Sequence, residues 1–326
     1  MPSPPGERPQ RRCLMSDKTI GVLVMSYGTP ESLDHVEEYY THIRRGSAPS
    51  PEQLKELSDR YDAIVGGVFP LRENTDRQVA SLQDKLEQAA PGRYRCYQGL
   101  KHARPYIEDG VEQMAADGIT MAVGIVLAPH FSTMSVASYN KRAMQKAEER
   151  GITMVCVESY HLHPKLIEAL AERVSEGMKA VSEKAGGASV KVLFSAHSLP
   201  VRIRESGDPY EEQLLETSRA VADASGAHNW EFTWQSAGRT KEPWLGPDIL
   251  ETMTRLAGDG EQALLAAPIG FVSDHLEVLY DLDIEAMAEA DKLGIAFGRI
   301  RMLNSDPLYM EVLADSVAKA AQGLGE

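Results

Sequence analysis

The sequence predicts an α/β protein of parallel sheets with helices on both faces. Short Val- and Ile-rich runs recur along the chain, helix-period stretches separate them, and Gly, Pro and polar residues gather where the runs end. Such alternation is the mark of parallel strands joined by crossover helices. The runs cover 19–25, 94–98, 121–127, 153–157, 190–194, 230–234 and 263–267, and the helical stretches 74–89, 103–117, 139–150, 165–183, 210–224 and 246–256. The pattern passes through two similar halves, which predicts domains at 17–155 and 156–306, with a last helix at 307–322 packing back on the first. Residues 1–16 are rich in Pro and Arg and read as a disordered tail, with 1–14 dispensable for function.

Bulk properties exclude several classes. The chain has 326 residues and a net charge of −14, which argues against non-specific nucleic-acid binding. No apolar run approaches the ~18 residues of a membrane span, and the N-terminus lacks the apolar core of a signal peptide. Cys13, Cys96 and Cys156 form no CxxC, so neither a structural zinc site nor a four-thiolate iron–sulfur cluster is expected. Cys96 and Cys156 fall in strand-like runs and read as buried thiols. A cytoplasmic monomer with no tightly bound cofactor is the expectation.

In open α/β sheets ligands bind beyond the C-terminal ends of strands. The segments to examine are therefore 26–30 (SYGTP), 128–131 (APHF), 195–200 (SAHSLP) and 268–271 (PIGF). His197 sits at such an exit, where imidazole suits proton exchange or metal ligation, or is a hydrogen-bonded loop residue. His130 has a similar address without an acidic partner in sequence. Ser195 and Ser198 flank His197 without a G-x-S-x-G elbow. His161 and His163 lie in a Pro-flanked loop and read as surface histidines. Neither a G-x-G-x-x-G fingerprint after a strand nor a Walker A motif is present.

Two further segments stand out. In 270–285 (GFVSDHLEVLYDLDIE), a helix N-capped by Asp274 aligns Glu277, Asp281 and Glu285 at i, i+4 and i+8. Leu276, Leu279, Tyr280 and Met287 then form its core stripe. Like charges so spaced repel by ~0.2–0.5 kcal/mol per pair, so the row is either a solvated face or a track for cations. The segment 39–70 combines Arg44, Arg45 and Arg60 with three tyrosines. It suits a flat carboxylate-bearing ligand, or is a helical hairpin with solvated arginines.

Eight strings in order, among them LVMSYGTPES, YYTHIRRG, GLKHARPYIED, VLAPHFSTMSVASYNKRA, FSAHSLP and GFVSDHLEVLYDLD, make the chain similar to the ferrochelatase family. It most resembles the Gram-positive branch that metallates coproporphyrin III. The resemblance implies two Rossmann-like domains with the porphyrin in the cleft between them. It implies His197 and Glu277 as the catalytic pair and metal ligands, and Tyr27 on the other porphyrin face, axial to product iron. Arg44, Arg60, Tyr61 and Tyr139 are implied to hold the porphyrin, Asp281 and Glu285 to form a metal path, and Lys101 and His102 an outer metal site. Fe2+ is implied as substrate rather than cofactor, coproporphyrin III as its partner, and a downstream coproheme decarboxylase as a transient contact. In the string Gly66-Gly67-Val68-Phe69-Pro70-Leu71, Phe69 replaces a family hydroxyl, so no polar contact is expected there. Alternatives are a protoporphyrin IX ferrochelatase, a cobalt chelatase and a non-catalytic haem carrier.

Overall fold

The computed structural model describes residues 19–64, 69–238 and 240–325. The tail, Cys13 and Gly66–Val68 lie outside the described residues. In chain order the first half holds β1 (Ile20–Ser26), α1 (Val36–Ile43), α2 (Pro51–Ala63), α3 (Pro70–Ala89), β2 (Tyr94–Leu100), α4 (Ile107–Ala116), β3 (Met121–Val126), α5 (Val136–Glu149) and β4 (Thr153–Cys156). α6 (Pro164–Lys184) leads into β5 (Lys191–His197), α7 (Tyr210–Ser225), β6 (Trp230–Gln235), α8 (Ile249–Gly258) and β7 (Ala263–Ala267). The chain closes with α9 (Leu276–Leu279), a π-helical segment (Asp281–Ala286), α10 (Met287–Leu293), β8 (Ala296–Arg299) and α11 (Pro307–Ala321).

Two four-stranded parallel sheets result, ordered β2-β1-β3-β4 and β6-β5-β7-β8. Both follow one winding, so β1 and β5 are equivalent inner strands whose C-terminal ends carry Tyr27 and His197. β1 and β7 are buried at every residue, as parallel strands covered on both faces must be. One apolar core runs from Val22 and Val24 through Leu82, Leu166 and Val174 to Phe194, Leu265 and Leu313, so the sheets share packing through α6 and α11. α11 lies against α3, β3 and α6. Local signals explain several starts: Ser50 and Gln53 form a capping box around Pro51 at α2, and Asp248 and Glu251 do the same at α8. No helix among the described residues is long and apolar enough to cross a membrane.

The predicted acidic helix is corrected in three ways. Asp274 is not its N-cap; α9 starts at Leu276, and Asp274 instead accepts from Asn304 and pairs with Arg299 at 3.0 Å. The helix is not regular, because a π turn widens it from Asp281 onward. Its deeply buried residues are Val278, Leu282, Ala286 and Ala290, whereas Leu276, Leu279 and Tyr280 pack partly exposed on Val36, Tyr61 and Ile64. β8 was not legible as a strand, and β5 runs three residues further than its apolar run, through Ser195 and Ala196 to His197. Its neighbour Gly270 donates its N–H to the Ser195 carbonyl at 3.1 Å, and a Cβ there would stand 2.4 Å from that of Ala196. Only glycine lets the loop after β7 pass this close to the end of β5.

Candidate active site

His197 is the last residue of β5, paired in register with Gln235 of β6. Its Nδ1 donates to the Ser198 carbonyl, which leaves Nε2 unprotonated in the neutral ring and facing Glu277 Oε1 at 3.7 Å. The other oxygen of Glu277, Oε2, lies 2.5 Å from His275 Nε2. His275 Nδ1 in turn donates to the Ser273 carbonyl at 2.9 Å, so His275 serves as donor at both nitrogens and is the imidazolium of the pair. Desolvation opposes charge on both residues, but each other's charge wins: the His275 pKa is raised, and Glu277 is lowered to about 2, with His197 and Arg60 adding to the effect. Gln235 locks this corner, donating to the Glu277 carbonyl at 2.9 Å and accepting from Ser195 Oγ at 2.9 Å. Ser198 Oγ is spent on the Leu245 carbonyl, so neither serine is a nucleophile in waiting.

Asp281 lies further along the same element, buried and bonded to Arg60 and to Ser236 Oγ. Burial raises its pKa to about 6 against the opposing pull of Arg60 and Ser236. Arg60 also stacks on Tyr280, its guanidinium carbon 4.4 Å from the ring centroid. Expected as a porphyrin grip, Arg60 is therefore engaged with the acidic row. Glu285 is exposed, and its charge contributes to the upward shift at Asp281.

The opposite wall comes from the first half. A cavity of about 820 Å³ is lined there by Tyr27, His42, Arg45, Lys101, His102 and Arg142, among others. Tyr27 is 41% exposed, yet crowding around it and then the Glu277 carboxylate raise its pKa. The same carboxylate raises Tyr61 and Tyr139 as well, so all three phenols lie within its electrostatic reach. Tyr61 and Tyr139 are buried, Tyr61 against Phe69 at 4.8 Å between centroids and Tyr139 beneath Lys101 Nζ at 4.5 Å. Arg44 is half-buried, its Nε on the Ser47 carbonyl and its guanidinium over Tyr40, whereas its exposed neighbour Arg45, with a left-handed φ of 57°, lines the cavity. Lys101 is lowered to about 8 by burial and by Arg142 and Arg45. His102 is lowered to about 3 by burial and Lys101, and its ring rests 4.6 Å from that of Tyr27. Lys101 and Arg45 thus gather positive charge around a His102 ring that stays neutral, with Arg142 paired to Glu108 at 2.6 Å.

Sequence reasoning missed His275, His42 and Arg142, and named Arg45 only within the arginine–tyrosine cluster of 39–70. His275 was legible as H-x-E with Glu277, but only the extended backbone before α9 turns it back onto that carboxylate. The histidines expected at the surface are structural: His161 binds Glu216 at 2.9 Å and His163 caps α6. Burial pushes the thiols of Cys96 and Cys156 up to about 12, and both pack against the core. Among the described residues no three His, Cys, Asp or Glu side chains form a metal cage.

This architecture is shared with chelatases. The sirohydrochlorin chelatase SirB from Bacillus subtilis subspecies spizizenii, solved with cobalt, superposes with a TM-score of 0.57 over 94% of this chain and 96% of its own, at 9% identity. SirB from Bacillus subtilis with Fe3+ superposes at 0.56 over 95% and 98%, with 12% identity. At such identities the likeness concerns the fold alone. The ferrochelatase family model matches residues 19–321, and the chain belongs to the ferrochelatase family. It is 46% identical to the coproporphyrin III ferrochelatase of Bacillus subtilis (strain 168) over 94% of this chain and 99% of that protein. It is 44% identical to a ferrochelatase of Herpetosiphon aurantiacus over 92% and 98%.

Proposed function

We propose that this enzyme inserts Fe2+ into coproporphyrin III to give coproheme. The observation that carries the reading is His197 Nε2 facing Glu277 Oε1 at 3.7 Å across from a basic, aromatic wall. Relatives that this chain matches over almost their whole length carry the name coproporphyrin III ferrochelatase at 44–46% identity.

Insertion exchanges one Fe2+ for the two inward N–H protons of the macrocycle, so the site must take up protons and deliver a cation. His197 accepts the two pyrrole protons one after the other at Nε2, releasing the first to solvent before it takes the second. Glu277, kept ionised by His275, draws iron to the same face with an oxygen ligand that holds it weakly enough to release it. Asp281 and Glu285 lead outward from Glu277 as the route for the ion. Tyr27 lies on the opposite face and offers its phenolic oxygen to product iron. Arg45 and Lys101, with Arg142 behind them, receive propionates, and that binding energy offsets distortion of the ring. Coproporphyrin carries four propionates and protoporphyrin two, so a wall this basic favours the former. The reading places the enzyme in the cytoplasm, as a monomer that passes coproheme to a decarboxylase by transient contact.

The test is anaerobic: Fe2+ is mixed with the protein and either porphyrin, and loss of porphyrin fluorescence is followed. Turnover of coproporphyrin III well above that of protoporphyrin IX is expected. Turnover of neither removes the chelatase reading, and a preference for protoporphyrin replaces the substrate.

A further inference from the structure

The turn before α7 joins the two walls of the cleft at one side chain. Asp208 Oδ2 accepts from Ser132 Oγ at 3.0 Å, from the Thr133 backbone N–H at 2.7 Å and from Thr133 Oγ at 2.6 Å. Its Oδ1 accepts from the Tyr210 N–H at 3.0 Å at the start of α7. Ser132 and Thr133 belong to the loop between β3 and α5, whose next residue, Met134, lines the cavity beside Tyr27. Two residues past Asp208, the buried Tyr210 sends its hydroxyl to the His197 carbonyl at 3.2 Å. One carboxylate therefore fixes the porphyrin-facing loop of the first half to the turn that holds the end of β5. α7 continues the connection: Gln213 Oε1 accepts from the Phe131 N–H at 2.7 Å, and Thr217 bonds His130 at 2.9 Å. This junction is polar, unlike the apolar seam along α6 and α11, so its geometry depends on directional bonds rather than on contact area.

We propose that Asp208 and Tyr210 are positioning residues that hold His197 in register with the opposite cleft wall; this rests on the functional reading above. Neither touches the reacting atoms: Tyr210 acts through the His197 carbonyl, and Asp208 through Tyr210 and the Thr133 loop. A shift of a few tenths of an ångström at that carbonyl moves Nε2 relative to both Glu277 and a bound macrocycle, and rate is sensitive to such displacements.

The variants separate the two arms. Tyr210→Phe keeps the ring, 6.0 Å from that of Trp234, and deletes only the hydroxyl. It is expected to lower kcat for iron insertion about three- to tenfold, the worth of one hydrogen bond, with KM for coproporphyrin III unchanged. Thr133→Val removes one bond on the loop side and is expected to raise KM with little change in kcat. Asp208→Asn should do both, and adding Tyr210→Phe to it should lower kcat no further than the worse single variant. The 15N chemical shifts of the His197 ring, read without iron or porphyrin, should move in Tyr210→Phe and Asp208→Asn. If the variants lose thermal stability while kcat, KM and the His197 shifts stay wild type, the junction is a structural brace and the proposal fails. Additive losses in kcat overturn it as well. If the wild-type protein turns over neither porphyrin, the functional reading fails, and the His197 shifts still decide whether the bonds set that ring.

Discussion

The two walls of the cleft come from equivalent positions of two similar sheets and carry opposite charge. Beyond β1 and β2 the chain places Arg45 and Lys101, with Arg142 of α5 and a neutral His102. Beyond β5 and β7 it places His197, Glu277, Asp281 and Glu285. In a chain of net charge −14 a basic wall is a local construction, made by gathering these cations from separate elements around one cavity. The contrast sorts the substrates. A macrocycle fringed with carboxylates is attracted to the first wall and repelled by the second, and Fe2+ experiences the reverse. The two reactants are thus drawn to opposite faces of one gap, which is what insertion requires.

The comparison breaks most visibly at His197. His197→Ala is expected to lower iron insertion by about 10²–10⁴-fold, the usual weight of a positioned base, while fluorescence titration still finds coproporphyrin III bound. Near-normal turnover would remove His197 from the chemistry. Glu277→Gln comes next, with a loss of about 10²-fold in kcat and little change in porphyrin affinity. It also strips His275 of its counter-charge, so its apparent pKa should fall, which an NMR titration of His275 would follow. On the other wall, Arg45→Ala and Lys101→Ala should each raise KM for coproporphyrin III about tenfold, ~1.4 kcal/mol, and leave kcat near wild type. If these variants instead raise the requirement for iron, the walls are assigned the wrong way round.

The fold was legible because parallel strands buried on both faces must be continuous apolar runs, and β1, β3 and β7 are. β8 was hidden by its length, four residues with a glycine inside. His197 could be located because strand exits are where ligands bind. The acidic row was read correctly in composition but not in geometry, since a π turn has no simple residue signature and repositions every side chain after it. Arg60 and Arg45 show the limit of the rest. A guanidinium's partner is set by tertiary contact, and only the packing of α2 against the π segment gives Arg60 to Asp281. Arg45, on a left-handed backbone, lines the cavity where Arg44 does not.

Glu277 and Asp281 stand one turn apart and titrate in opposite senses, which allows the ion route to be tested by pH. Glu277 is lowered from 4.5 to about 2, so its ionised form stabilises the fold above about 4.5, and that contribution is lost as pH falls toward 2. Asp281 is raised from 3.8 to about 6, so its ionised form costs stability above that value, and the cost is relieved as pH falls through 6. Between pH 7 and 5, Asp281 therefore takes up a proton while Glu277 keeps its charge. If Asp281 belongs to the route, KM for Fe2+ should rise across this window with a midpoint near the Asp281 value of about 6. Asp281→Asn should begin with a KM raised about two- to fivefold at pH 7, as expected for one partly screened charge, and should show no such midpoint. His197 also exchanges protons and acts on kcat, so the two effects separate when iron is varied at saturating porphyrin. A midpoint that survives in Asp281→Asn belongs to another group and takes Asp281 off the route, leaving it as the anchor of Arg60.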